Sequence, residues 1–220
     1  ANVSHELKTP LTSISGYAEI IREGMVKSED VGRFAGKIYE EAQRLITLVE
    51  DILNLSHLDE GAPGQERRQG IDLYALCERA VASLAEAARQ RGIAISPTGS
   101  RQRVDGAEKL LAEIIFNLCD NAIKYNQENG HVAVSVTREG DRVVLTVQDM
   151  GIGIPPGETD RVFERFYRVD KSHSRRVGGT GLGLSIVKHG AQYHNAQLSL
   201  DSEPGAGTTI TLRFPKQSAA

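Results

Sequence analysis

The stretch AEKLLAEIIFNLCDNAIKY, residues 107–125, decides how the rest of the chain is read. Leu111, Ile114, Ile115, Leu118 and Ala122 recur at helical spacing and make one apolar face. Glu113, Asn117, Asn121 and Lys124 form a second, polar stripe at i, i+4, i+8 and i+11. Amide oxygens suit a hard cation such as Mg2+ that keeps several waters and is shared with phosphates. The Lys124 ammonium can reach phosphate oxygens. Taken alone, the stripe reads as a solvated helix face, so its meaning depends on what surrounds it.

Downstream, Val143, Leu145, Val147 and Asp149 alternate along a strand, which puts the Asp149 carboxylate on the apolar face. A carboxylate there needs a donor, and the exocyclic amine of adenine is one. Gly151-Ile152-Gly153 follows at once and lets backbone approach a flat base. The stretch 150–182 reads as one long loop, a length that marks a functional or mobile segment. It carries Phe163, Phe166 and Tyr167 with the basic set Arg165, Arg168, Lys171, Arg175 and Arg176, a composition suited to a lid over a triphosphate. It ends in Gly178-Gly179-Thr180-Gly181-Leu182-Gly183-Leu184, which opens a helix whose free N–H groups suit phosphate. Seven of the 22 glycines fall between Gly151 and Gly183, whereas residues 1–60 hold four. Neither a GxxxxGK[ST] loop nor a GxGxxG turn after a strand occurs, which removes the P-loop and Rossmann readings.

Around this segment the periodicity predicts helices over Asp72–Gln90 and Gly183–Tyr193. It predicts strands at 93–96, 101–104, 132–137, 142–149, 196–201 and 208–214. GAPGQERRQG, residues 61–70, reads as a linker or turn. Upstream of it, Leu7, Leu11, Ile14, Ala18 and Ile21 make one helical stripe, and Phe34, Ile38, Leu45, Leu48, Ile52 and Leu55 make another on a heptad-like seam. A turn near Gly24–Asp30 separates them. The expected class is α+β: an antiparallel helical hairpin, then an α/β sandwich. A hairpin alone buries little, so pairing into a four-helix bundle, hence a homodimer, is expected.

Ser4-His5-Glu6-Leu7-Lys8-Thr9-Pro10 opens the hairpin. A metal-hydrolase reading fails because HExxH requires a second histidine where Thr9 stands. On a helical wheel His5 and Thr9 lie about 40° apart, on a face turned away from the apolar seam. The imidazole is thus accessible, with a carboxylate beside it. Pro10 removes one helical donor and leaves the Glu6 carbonyl without its partner.

With 26 basic against 29 acidic residues the net charge is −3, which argues against a generic nucleic-acid or anionic-membrane binder. No apolar run reaches the ~18 residues of a membrane span. Cys77 and Cys119 show no CxxC and read as buried, reduced thiols.

In order, His5, the Asn117/Asn121 pair, Asp149-x-Gly151-x-Gly153, Phe163-Glu-Arg-Phe166 and Gly179-Thr-Gly-Leu-Gly183 resemble the H, N, G1, F and G2 boxes of a bacterial sensor histidine kinase. The resemblance covers nearly the whole chain. It implies a dimerisation and phosphoacceptor domain over residues 1–64 and a catalytic domain of the GHKL (Bergerat) type over 65–220. It further implies ATP-dependent phosphorylation of His5, then transfer to an aspartate of a response regulator on another chain, with phosphatase activity toward that regulator as a further capacity.

Residue by residue, the resemblance makes His5 the phosphoacceptor, Glu6 its general base and Thr9 the residue that orients water in the phosphatase direction. Asn117 and Asn121 would serve Mg2+, and Lys124 and Tyr125 the phosphates and sugar. Asp149 would hold adenine, and Gly151, Gly153, Thr180, Gly181, Leu182 and Gly183 would shape the ATP pocket. Arg168 would contact the γ-phosphate. The family's first helix normally extends further upstream, so the sequence reads as the cytoplasmic portion of a membrane-anchored receptor, joined to the membrane only through segments N-terminal to it.

Two rival readings are weighed against this one. ATP-hydrolysing relatives of the same pocket carry a glutamate base where Asn117 stands, and an amide cannot take a proton from water. A degenerate scaffold would have lost His5, Asn121 or Asp149, all of which are present. His57, His131, His173, His189 and His194 have no partner at metal-ligand spacing and read as structural or solvent-facing. Asn195 stands where such kinases often have glycine and can adopt the left-handed conformation.

Overall fold

The structure is a computed structural model and describes residues 3–59, 66–169 and 179–216. Helices α1 (Val3–Arg22) and α2 (Val31–Asp59) form the hairpin, joined by a turn and one 3-10 turn at Ser28–Asp30. Tyr17 and Phe34 close its end edge to face, with centroids 5.8 Å apart. Next come β1 (Arg67–Asp72), α3 (Leu73–Gln90), β2 (Ala94–Gly99), β3 (Arg103–Ala107), α4 (Glu108–Lys124), β4 (His131–Glu139) and β5 (Arg142–Asp149). After the long loop follow α5 (Gly183–Tyr193), β6 (Gln197–Glu203) and β7 (Gly207–Arg213).

The main sheet has the order β2-β4-β5-β7-β6, with β2 parallel to β4 and the other pairs antiparallel. Period two is visible along β4: Val132, Val134 and Val136 are fully buried, while Ala133 and Ser135 are half-buried and Thr137 is exposed. The buried face packs on α3, α4 and α5 in one core that includes Leu76, Leu111, Ile114, Leu145, Val187 and Leu212. The helical hairpin and α/β sandwich are thus as expected.

One expectation needs correction and a second needs an addition. The stretch read as a linker, 61–70, ends in structure: β1 begins at Arg67 and pairs antiparallel with β3, with a register irregularity between Arg68 and Ile71. Its residues are mostly polar and exposed, so no alternation marks it. The second concerns the seam of α2. Beyond the hairpin packing expected of it, this seam meets the catalytic layer: Leu48 and Leu55 are buried in one cluster with Leu182 and Ile186, with Leu7, Ile52 and Phe166 packed alongside. The apolar row left open on α2 is Ile46, Val49 and Leu53; Leu11 of α1 is exposed as well.

Among the described residues no helix is long and apolar enough to cross a membrane. Cys77 and Cys119 are free and buried, and burial pushes both thiols up to about 12. Asn195 has φ 52°, as its sequence position requires. His194 is buried: Nε2 accepts from the Ala107 amide at 3.0 Å and Nδ1 lies 2.7 Å from the Gly190 carbonyl, a structural role.

Candidate functional site

A cavity of about 770 Å³ opens between α4, the end of β5, the start of α5 and helix α2. The polar stripe of α4 forms one wall, with Glu113, Asn117, Asn121, Lys124 and Tyr125 all lining it. Helical spacing places them there because Ile114, Ile115, Leu118 and Ala122 hold the opposite face in the core. Asn117 Nδ2 donates to the Glu113 carbonyl at 3.0 Å, which leaves its oxygen toward α5. A Cβ at Gly183 would stand 2.8 Å from that oxygen, so a side chain there would close the space beside the amide pair. Lys124 Nζ is held at 2.7 Å from Asp120.

Asp149 lines the cavity where β5 ends. Its Oδ1 accepts from the Gly151 amide at 2.8 Å and the Thr208 amide at 3.2 Å. Burial raises its pKa and the two amides oppose that shift. Gly153, Arg168, Thr180 and Gly181 also line the cavity. Gly151 acts through its amide rather than in the lining. Leu182 departs from its expected role: its side chain is fully buried in the cluster with α2, and its amide donates to Thr180 Oγ1 at 3.3 Å.

His5, Glu6 and Thr9 share the exposed start of α1, outside the cavity lining. His5 Nδ1 faces Glu6 Oε1 at 3.8 Å, and Thr9 Oγ1 donates to the His5 carbonyl at 3.2 Å. Glu6 Oε2 lies 3.6 Å from Arg168 Nη2, whose side chain is only 8% exposed. One arginine therefore borders the cavity and reaches the carboxylate beside His5.

The sequence reading missed the contribution of α2. Thr47, Glu50, Asp51 and Asn54 complete the cavity wall. Thr180 Oγ1 donates to Asp51 Oδ2 at 2.8 Å, and Asn54 Nδ2 donates to Glu113 Oε1 at 2.9 Å. Burial raises the pKa of Asp51, opposed by the Thr180 hydrogen bond and by Lys124. Burial likewise raises that of Glu113, opposed by Asn54 and reinforced by Asp51. The signal was present as polar residues at i, i+3, i+4 and i+7 of α2. Lys171, His173, Arg175 and Arg176 lie outside the described residues.

Residues 106–218 match the family model described as histidine kinase-, DNA gyrase B- and HSP90-like ATPase, and residues 1–61 match the His Kinase A (phospho-acceptor) domain. The chain is 42% identical over 219 residues to the sensor-like histidine kinase SenX3 of Mycolicibacterium smegmatis, covering 98% of this chain and 56% of that protein. The chain belongs to the sensor histidine kinase family. This histidine kinase region spans little more than half the length of that relative. It is also similar to full-length ShkA, solved in complex with AMPPNP, with TM-score 0.72, 27% identity and coverage of 99% of this chain and 45% of that one. Histidine kinase ThkA, solved in complex with response regulator protein TrrA, shares the fold of this kinase region, with TM-score 0.76, 22% identity and coverage of 98% and 60%.

Proposed function

We propose that this chain is the catalytic region of a dimeric kinase that phosphorylates its own His5 from ATP and passes the phosphoryl group to an aspartate of a response regulator. The observation that carries the reading is the bridge at Arg168, which joins the border of the cavity to Glu6 beside His5. The residue chemistry follows from it. Glu6 facing Nδ1 favours the tautomer with its proton on that nitrogen, which leaves the Nε2 lone pair as nucleophile. An N–P bond forms at Nε2 as the bond to the leaving diphosphate oxygen breaks, and Glu6 offsets the charge that develops on the ring.

The donor set fits the nucleotide. Asp149 accepts from the adenine amine, Lys124 and Arg168 serve the phosphates, Tyr125 serves the sugar side, and the loop through Gly151, Gly153, Thr180, Gly181 and Gly183 encloses the pocket. Asn117 and Asn121 would hold Mg2+ through their amide oxygens, and the ion would supply positive charge to the transferring group. Asn117 in place of a carboxylate base disfavours simple ATP hydrolysis. Thr9, one turn from His5 on the same face, orients water for dephosphorylation of the regulator.

We place the phosphoacceptor domain at residues 1–64 and the catalytic domain at 65–220, a boundary outside the described residues. The receptor reading makes this the cytoplasmic portion of a membrane protein. The ThkA complex with TrrA supports a response regulator as partner.

Incubation with γ-labelled ATP and Mg2+ should give acid-labile, base-stable label on the wild type and none on His5→Ala. Label that persists in His5→Ala overturns the assignment of the acceptor.

A further inference from the structure

Helix α2 brings negative charge into the cavity that the nucleotide reading assigns to a polyphosphate. Among the described residues lining it, the carboxylates are Glu50, Asp51, Glu113, Asp120 and Asp149, against the cations Lys124 and Arg168. Both cations are already engaged, Lys124 with Asp120 at 2.7 Å and Arg168 with Glu6 at 3.6 Å. Asp51 is the carboxylate that grips the glycine loop. Its Oδ2 accepts from Thr180 Oγ1 at 2.8 Å, and Thr180 Oγ1 in turn accepts from the Leu182 amide at 3.3 Å. The loop that opens α5 is therefore tied to α2 through Asp51. Beside that tie, Leu182 is buried against Leu48 and Leu55.

An uncharged nucleoside entering this cavity has no electrostatic quarrel with Asp51. A polyphosphate does, because like charges a few ångströms apart repel strongly at a half-buried site. Burial already disfavours the Asp51 anion. We propose that Asp51 is a charge-discriminating residue of the cavity: with α2 docked it holds Thr180 and sets a carboxylate against the phosphates. Docking of the hairpin and binding of ATP then oppose each other. The inference rests on the nucleotide reading above. Linkage makes the opposition reciprocal, so the triphosphate loosens α2 and the undocked hairpin frees the site for the triphosphate.

The test compares equilibrium binding of adenosine, ADP and AMPPNP, with Mg2+ throughout, to the full chain and to Asp51→Asn. Asparagine retains an acceptor for Thr180 and removes only the charge. AMPPNP should bind Asp51→Asn about tenfold more tightly, ADP should gain less, and adenosine should change by less than about twofold. Asp51→Ala, which also removes the hydrogen bond, should show the same order of ligands. Glu50→Gln, which lines the cavity without touching Thr180, should shift AMPPNP by less than about threefold.

Amide hydrogen exchange over residues 48–55 provides the second arm: it should rise with AMPPNP and not with adenosine. An equal shift for adenosine and AMPPNP, or weaker AMPPNP binding, overturns the role of Asp51 while leaving the nucleotide site intact. A wild-type chain that binds none of the three ligands removes the nucleotide reading and this inference together.

Discussion

His194 shows what a single buried side chain does here. The Gly190 carbonyl can only accept, so Nδ1 carries the proton and Nε2 receives the Ala107 amide. A second proton would set Nε2–H against that N–H, and burial lowers the pKa below the ordinary 6.5. The unfolded chain then binds the proton more readily than the folded one. His194 therefore contributes stability that is complete above about 6.5 and is lost as pH falls through its lowered folded value. His194→Ala should lose about 1–3 kcal/mol at pH 7.5 by leaving two buried polar groups unpaired. The deficit should narrow as pH drops below 6.5, a trend that urea midpoints at a series of pH values would show. A deficit that stays constant with pH would mean that the imidazole does not titrate against folding. The sequence marked His194 as bland, rightly, but its two partners lie 87 and four residues away and only the fold brings the first of them near.

At the scale of elements, the loop into α5 joins two left-handed residues. Gly181 has φ 74° and Phe166, a bulky residue for which that region is costly, has φ 63°. The Phe166 amide donates to the Gly181 carbonyl at 2.8 Å, and a Cβ on Gly181 would meet the Phe166 backbone at 2.9 Å. Gly181→Ala should cost about 1–2 kcal/mol from its conformation alone. That corresponds to a fall of roughly 2–8 °C in Tm, with weaker nucleotide binding alongside. A variant with unchanged melting and affinity would show that the loop accommodates elsewhere.

The elements themselves were largely legible. Asn117, Asn121 and Lys124 followed from helical spacing and Asp149 from strand alternation, because one buried face fixes the other. Strand β1 was not, since RRQGID exposes four of its six residues and alternates nothing. Nor could spacing say what Leu48 and Leu55 touch: an apolar stripe declares that it is buried, never against which neighbour.

For the whole molecule, the open row Ile46, Val49 and Leu53, with exposures of 50%, 41% and 54%, is the surface on which we place the second copy. Pairing this row with itself buries apolar area that the hairpin alone leaves in water. Leu53→Glu should convert the dimer to a monomer in light scattering at micromolar concentration, without changing adenosine binding by a separate cavity. A dimer that persists in Leu53→Glu would move the interface elsewhere on the hairpin.

Helix α2 thus presents two apolar rows, one holding Leu182 and Ile186 and the other facing outward, and Leu48 and Val49 are adjacent in sequence. Neighbouring residues on a helix are about 100° apart around its axis. The rod behaves as a camshaft with two lobes on one shaft. A twist applied at either end moves both lobes together, so a torque that reseats one copy against the other must also lift or press the catalytic layer.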